Sequence, residues 1–229
     1  MRVAALLLLI LLLTLPAHAA SGRGTIPPVP GRLLVIGDSL TSGLFASSEQ
    51  TTFASQVAAA TGYQLARKHA SRLPQAVAAW TMYRDWRPDL VIVEIGLNDI
   101  SSGEWAPDTW RSAYSAFIGD IQRSGATVVV ATTFWAGVQS SQSNYANYVA
   151  INDDIRAVAA ERGAILADLW TATEACKDCV SQRTQPSYWP PFLGDNFHPN
   201  DAGHAIITKT ILAALNERSQ RWYFPGIYR

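Results

Sequence analysis

Short, largely apolar runs, set between longer stretches of helical pattern, constrain this chain more than any other feature. Residues 33–36, 90–95, 127–132 and 165–167 are rich in Leu, Ile and Val, and the first two are each followed by a glycine. A strand with one wet face alternates polar and apolar residues. A continuous apolar run instead reads as a strand covered on both faces, as in a parallel sheet between helices. The intervening segments suit that role. Residues 53–60 close at Gly62, and residues 73–86 carry Pro74 at a first helical position and stop before Pro88. Residues 107–124 stop at Gly125, residues 145–162 at Gly163, and residues 201–217 form a last helix. The alternation predicts an α/β fold with a parallel sheet. At 229 residues the chain has room for one sizeable domain of this kind.

Such sheets bind ligands beyond the C-terminal ends of their strands. Chemically useful residues do stand there: Gly37-Asp38-Ser39 after the first run, Gly96-Leu97-Asn98-Asp99 after the second, and Thr132-Thr133 at the end of the third. A serine hydroxyl becomes a nucleophile when a base removes its proton, and histidine is the usual base. Beyond the first 20 residues the chain has three histidines, His69, His198 and His204. His198 has a carboxylate three residues ahead, in Asp195-Asn196-Phe197-His198-Pro199. One tight turn then brings Asp195 to Nδ1 and leaves Nε2 to face a serine. His204, inside the last helix, reads as a packing or surface residue. Taken singly, Gly-Asp-Ser-Leu could be a helix-capping turn and Asp195–His198 a loop ion pair. Their order along the chain, each at the same edge of the sheet, favours a shared site.

With these blocks the chain resembles the SGNH, or GDSL-type, esterase-lipase hydrolase family. The resemblance rests on Gly37-Asp38-Ser39-Leu40, on Gly96-Leu97-Asn98-Asp99, and on Asp195-Asn196-Phe197-His198-Pro199 with its continuation to His204. It implies a three-layer α/β/α sandwich with a flavodoxin-like, five-stranded parallel sheet. It also implies hydrolysis of acyl or acetyl esters with Ser39, Asp195 and His198 as the triad. The oxyanion hole would comprise the Ser39 N–H and the Asn98 amide. Family members normally add a glycine N–H from the loop after the second strand. The corresponding stretch here, residues 67–72, has no glycine, which leaves Ala70 or Ser71 as the donor. Other readings on the same fold are a weakly catalytic glycan- or lipid-binding protein and an acyltransferase.

Substrate selection would fall to aromatic residues near that edge. Trp105, Phe134, Trp135 and Trp189 are candidate pocket walls, although ordinary packing also explains each of them. The expected substrate is a small-molecule, lipid or carbohydrate ester. Basic and acidic residues balance at 18 each, so nothing suggests an electrostatic grip on nucleic acid. With no phosphate-binding glycine loop or metalloprotease helix motif, no cofactor or metal is expected. A monomer is favoured.

Residues 1–19 read as a signal peptide. Arg2 precedes an apolar run over residues 4–15, and Ala17-His18-Ala19 supplies a small-x-small cleavage pattern. The run is shorter than the roughly 20 apolar residues of a spanning helix, so removal rather than a stable membrane span is expected. Residues 20–31, with three prolines and three glycines, read as a linker to a hydrolase domain over 32–229. Secretion or delivery to the periplasm follows, an oxidising setting in which Cys176 and Cys179 are expected to form a small disulfide loop. Free thiols, or a redox or metal role for that pair, are the alternatives.

Overall fold

A computed structural model of the chain describes residues 30–103, 105–134, 144–174 and 198–223, with side chains to residue 218. The expected signal peptide, all but the end of the linker, Asp195, the cysteines Cys176 and Cys179, and the aromatics Trp135 and Trp189 lie outside the described residues.

Five parallel strands form one sheet: β1 (Arg32–Gly37), β2 (Gln64–His69), β3 (Leu90–Glu94), β4 (Thr127–Ala131) and β5 (Ile165–Ala167). Their order is β2-β1-β3-β4-β5. The helices are α1 (Phe53–Thr61), α2 (Leu73–Tyr83), α3 (Leu97–Ser101), α4 (Pro107–Arg123), α5 (Tyr145–Arg162), α6 (Leu169–Glu174) and α7 (Asp201–Tyr223). They pack in two sets, α1 and α6 against α7, and α4 against α2 and α5, as the outer layers of an α/β/α sandwich. The order 2-1-3-4-5 is the doubly wound arrangement whose chain direction switches between β1 and β3, where a crevice opens.

The apolar runs became strands because both faces of the sheet are covered. Leu33, Leu34, Val35 and Ile36 of β1 and Val91, Ile92 and Val93 of β3 have no exposed surface. Removing a Leu or Ile side chain from water stabilises the fold by about 1.5–3 kcal/mol. The strand β2 is different. Its sequence, Gln64-Leu65-Ala66-Arg67-Lys68-His69, is half-buried and lies at the sheet edge. The expectation of a loop over residues 67–72 is therefore corrected: Arg67, Lys68 and His69 pair with Val35, Ile36 and Gly37, and only residues 70–72 connect to α2. An edge strand has one neighbour and open sides, so it can be polar and still pair.

The segment expected to be one helix over residues 73–86 ends at Tyr83 and tightens to a 3₁₀ turn over Arg84–Trp86, before Arg87 at φ 53°. Register aligns one row of residues along the C-terminal edge, His69–Gly37–Glu94–Ala131–Ala167. Everything chemical lies on or just past this row.

Candidate active site

The strand β1 reaches this edge at Gly37. A Cβ there would stand 2.2 Å from Thr41 Oγ1 and 2.5 Å from the Glu94 carbonyl oxygen, so the close approach of β3 admits only glycine. The chain then coils tightly. The N–H groups of Ser42, Gly43 and Leu44 donate to the carbonyls of Asp38, Leu40 and Ser39 at 3.1, 2.9 and 3.0 Å. Asp38 Oδ1 accepts the Leu40 N–H at 3.0 Å, which fixes the peptide immediately after Ser39. Ser39 is left half-buried at the rim, its Oγ 2.8 Å from Nε2 of His198.

His198 arrives from the other end of the chain. Asn200 caps α7: its side chain accepts the Gly203 N–H at 3.0 Å and its carbonyl the His204 N–H at 2.8 Å. His198 thus sits two residues ahead of a fixed helix start. That start is also tied to the serine turn, because the Ser47 N–H donates to Asp201 Oδ1 at 2.8 Å and the Ser47 hydroxyl bonds to Asp201 as well. Between these two anchors the ring of Phe45 lies 5.3 Å from that of His198, tilted by 33°.

Asn98 enters from β3. Gly96, at φ 130°, makes a turn that an L side chain resists, and α3 starts directly after it. The Asn98 amide then reaches across and donates to Asp38 Oδ2 at 3.0 Å. The adjacent Asp99 serves another purpose: its Oδ1 accepts the Leu73 N–H at 3.1 Å, at the start of α2. The carboxyl of Asp99 is pushed up by burial, an effect that the Leu73 N–H partly offsets.

Under the serine turn lie two carboxyls that sequence reasoning did not single out as a pair, Asp38 with no exposure and Glu94 with 2%. They hydrogen-bond to one another. Complete burial, together with the charge of Asp38, holds Glu94 well above the ordinary glutamate range. Burial also raises Asp38, though the Leu40 N–H and His198 pull it back. Two touching carboxyls resist double ionisation, and of the two it is Asp38 that accepts the Leu40 N–H and the Asn98 amide. One sequence signal was available, a lone acid inside the apolar run Leu90-Val91-Ile92-Val93-Glu94.

The three histidines separate by environment. His204 is fully buried, accepts the Phe53 N–H at Nδ1 (3.3 Å) and stacks on the Phe53 ring at 6.1 Å. Burial lowers it to about 4, so it is a neutral core residue, in keeping with the packing role expected for it. His69 lies at the end of β2, between the hydroxyls of Ser42 (2.9 Å) and Ser71 (3.0 Å). Beside it, the Ala70 N–H donates to the Gly37 carbonyl at 2.7 Å, continuing the strand pairing. Ala70 is thereby corrected as a candidate oxyanion donor, since its only N–H is already engaged.

Of the aromatics proposed as pocket walls, Trp105 is partly buried and lines a cleft of about 200 Å³ with Leu73, Pro74, Asp99 and Trp110. Phe134, 3% exposed, belongs to the core. Among the described residues no group of three or more His, Cys, Asp or Glu is gathered to hold a metal ion, and no helix is long and apolar enough to cross a membrane.

Residues 35–206 match the family model of GDSL-like lipases and acylhydrolases. No curated protein matches the chain in sequence. Among solved structures, the chain is similar to LAE5, an α/β hydrolase enzyme from the metagenome of Lake Arreo, Spain (20% identity, 81% of this chain and 95% of that one, TM-score 0.66). A member of the lipolytic protein G-D-S-L family from Veillonella parvula aligns over 81% of this chain and 98% of its own, with 14% identity and a TM-score of 0.65. Axe2, an acetylxylan esterase from Geobacillus stearothermophilus, aligns over 81% and 94%, with 18% identity and a TM-score of 0.64. At these identities the likeness is one of fold.

Proposed function

We propose that this chain, which belongs to the GDSL-like lipase/acylhydrolase family and is a carboxylic ester hydrolase, attacks its ester with Ser39 and uses His198 as the base. The observation that carries the reading is the 2.8 Å contact between Ser39 Oγ and His198 Nε2, a distance at which a hydroxyl donates to a neutral imidazole. As Oγ bonds to the ester carbon, its proton passes to Nε2. The carbonyl oxygen becomes an oxyanion, which the Ser39 N–H and the second amide hydrogen of Asn98 receive. With Ala70 engaged, the Ser71 N–H is the remaining donor of the pair 70 and 71. Collapse of the intermediate expels the alkoxide, which takes the proton back from Nε2. Water then repeats the sequence on the acyl-enzyme and frees the acid. Asp195, three residues before His198, is the acid that the family resemblance assigns to Nδ1.

The apolar run and cleavage pattern over residues 1–19 support an exported enzyme. For its substrates we favour small acyl esters, with lysophospholipid-type esters next.

A p-nitrophenyl ester series from acetyl to long-chain acyl tests the reading. The wild type should turn over at least one member and be labelled by a fluorophosphonate, and Ser39→Ala should lose both. A wild type that neither turns over nor labels would refute it. Chain-length preference separates a deacetylase from a lipase-like enzyme.

A further inference from the structure

We infer that Phe45 is a positioning residue for the catalytic base, a flat plate that holds the His198 ring at the Ser39 hydroxyl. The inference rests on the serine–histidine reading above and assigns a role to a residue outside the GDSL-type motif.

Three independent observations converge on Phe45. Its backbone stands at φ 64°, the left-handed region that a bulky residue adopts at a cost of order 1 kcal/mol or more. Glycine would take that conformation freely. A phenylalanine kept there against its backbone preference points to a job for the side chain. The ring of Phe45 faces the ring of His198, with centroids 5.3 Å apart and planes 33° from parallel. Finally, the segment that carries Phe45 is fastened at both ends to the parts that must stay aligned. On one side Leu44 bonds back to the Ser39 carbonyl and Ala46 to the Gly43 carbonyl at 3.0 Å each. On the other, Ser47 is anchored to Asp201 on the first turn of the helix that follows His198. Phe45 is therefore the side chain that spans the nucleophile turn and the base.

The physical task is clear from the reaction. An imidazole must pivot between Ser39 Oγ, the leaving alkoxide and the attacking water without swinging out of line, and misplacement by about 1 Å can cost as much as a hundredfold in rate. A polar partner on the ring face would compete for its nitrogens. An aromatic face restrains rotation, keeps water off that side and does not compete for either ring nitrogen. It also presents negative quadrupole density to the imidazolium that forms after proton transfer.

The test compares Phe45→Gly, Phe45→Leu and Phe45→Trp with the wild type, using an ester that the wild type hydrolyses and a small fluorophosphonate. Phe45→Gly should lower kcat by about tenfold, with KM within about twofold, and slow fluorophosphonate inactivation by the same factor. Its melting temperature should stay near that of the wild type, because relief of the left-handed strain offsets the lost ring contact. Phe45→Leu fills similar space without a flat face and should also be slow, whereas Phe45→Trp should stay within about threefold of the wild type. The role is overturned if Phe45→Gly keeps wild-type kcat and labelling, or if KM alone rises while labelling is unchanged, which would make Phe45 a substrate contact. It is equally overturned if Phe45→Leu restores full activity, which would make the residue simple filler. Should Phe45→Gly not fold, the Leu and Trp variants decide by the same criteria. A wild type that neither turns over nor labels removes the proposed reaction and this role together. A labelled wild type matched by Phe45→Gly removes only the role.

Discussion

Asn98 has two amide hydrogens, and Asp38 takes one of them. In the proposed oxyanion hole the other would meet negative charge only as it develops, so its contribution would belong to the transition state rather than to substrate binding. Asn98→Ala should therefore reduce kcat by about 10²–10³-fold with little change in KM, measured by steady-state turnover of the best p-nitrophenyl ester. An unchanged kcat would remove Asn98 from the oxyanion hole. At this scale the sequence was informative about residues with distinctive chemistry and a distinctive neighbour. Ser39 and His198 stood out through their flanking motifs, and the structure brings them into contact. Glu94 and Phe45 did not stand out as site residues. A buried acid is stable here only because Asp38 and the Thr41 hydroxyl (3.5 Å) are beside it, and those neighbours come from another strand and turn. The strain at Phe45 is a matter of φ, to which no residue pattern in this stretch points.

At the scale of elements, the start of α7 does more than begin a helix. Asn200 caps it, and His198 hangs from the same short stretch. Asn200→Ala should cost about 1 kcal/mol of stability by thermal or urea melting. It should also lower kcat/KM at temperatures where the protein remains folded, because His198, the proposed base, would lose its fixed support. Asn200→Asp, which caps equally well, should restore both, and a variant that loses stability but keeps full activity would dissociate the cap from the base. The legibility of elements followed burial. The runs that became β1, β3, β4 and β5 were readable because helices cover both of their faces, which favours nearly unbroken apolar sequence. At the uncovered edge, β2 makes no such demand, and its charged residues disguised it as loop. The short helices α3 and α6 span five and six residues, less than the two turns that give a helical period its signature.

For the molecule as a whole, His204 links stability to pH. It lies neutral in the core at about 4, whereas in the unfolded chain it titrates at the ordinary 6.5. Its contribution is complete above pH 6.5 and is lost as the pH falls toward 4, because the unfolded state then binds a proton that the folded state refuses. The span corresponds to about 3 kcal/mol. Melting temperature should fall between pH 7 and pH 4.5, and less steeply in His204→Asn, whose side-chain oxygen can still accept the Phe53 N–H. Equal slopes for the two proteins would show that other groups govern acid sensitivity. Glu94 acts with the opposite sign, since a carboxyl raised by burial weakens the fold as the pH climbs above the ordinary glutamate value.

The contact between Ser39 and His198 joins residues 159 apart in the sequence. Closing so long a loop is entropically costly, which favours forming the strands and helices between them first. The serine turn follows the first strand, but the proposed reaction has no base until α7 has docked against α1 and brought His198 to Ser39. In time as well as in space, then, the proposed reaction waits on the last helix: a chain still emerging, or one cut short before residue 198, would carry Ser39 without the base proposed for it.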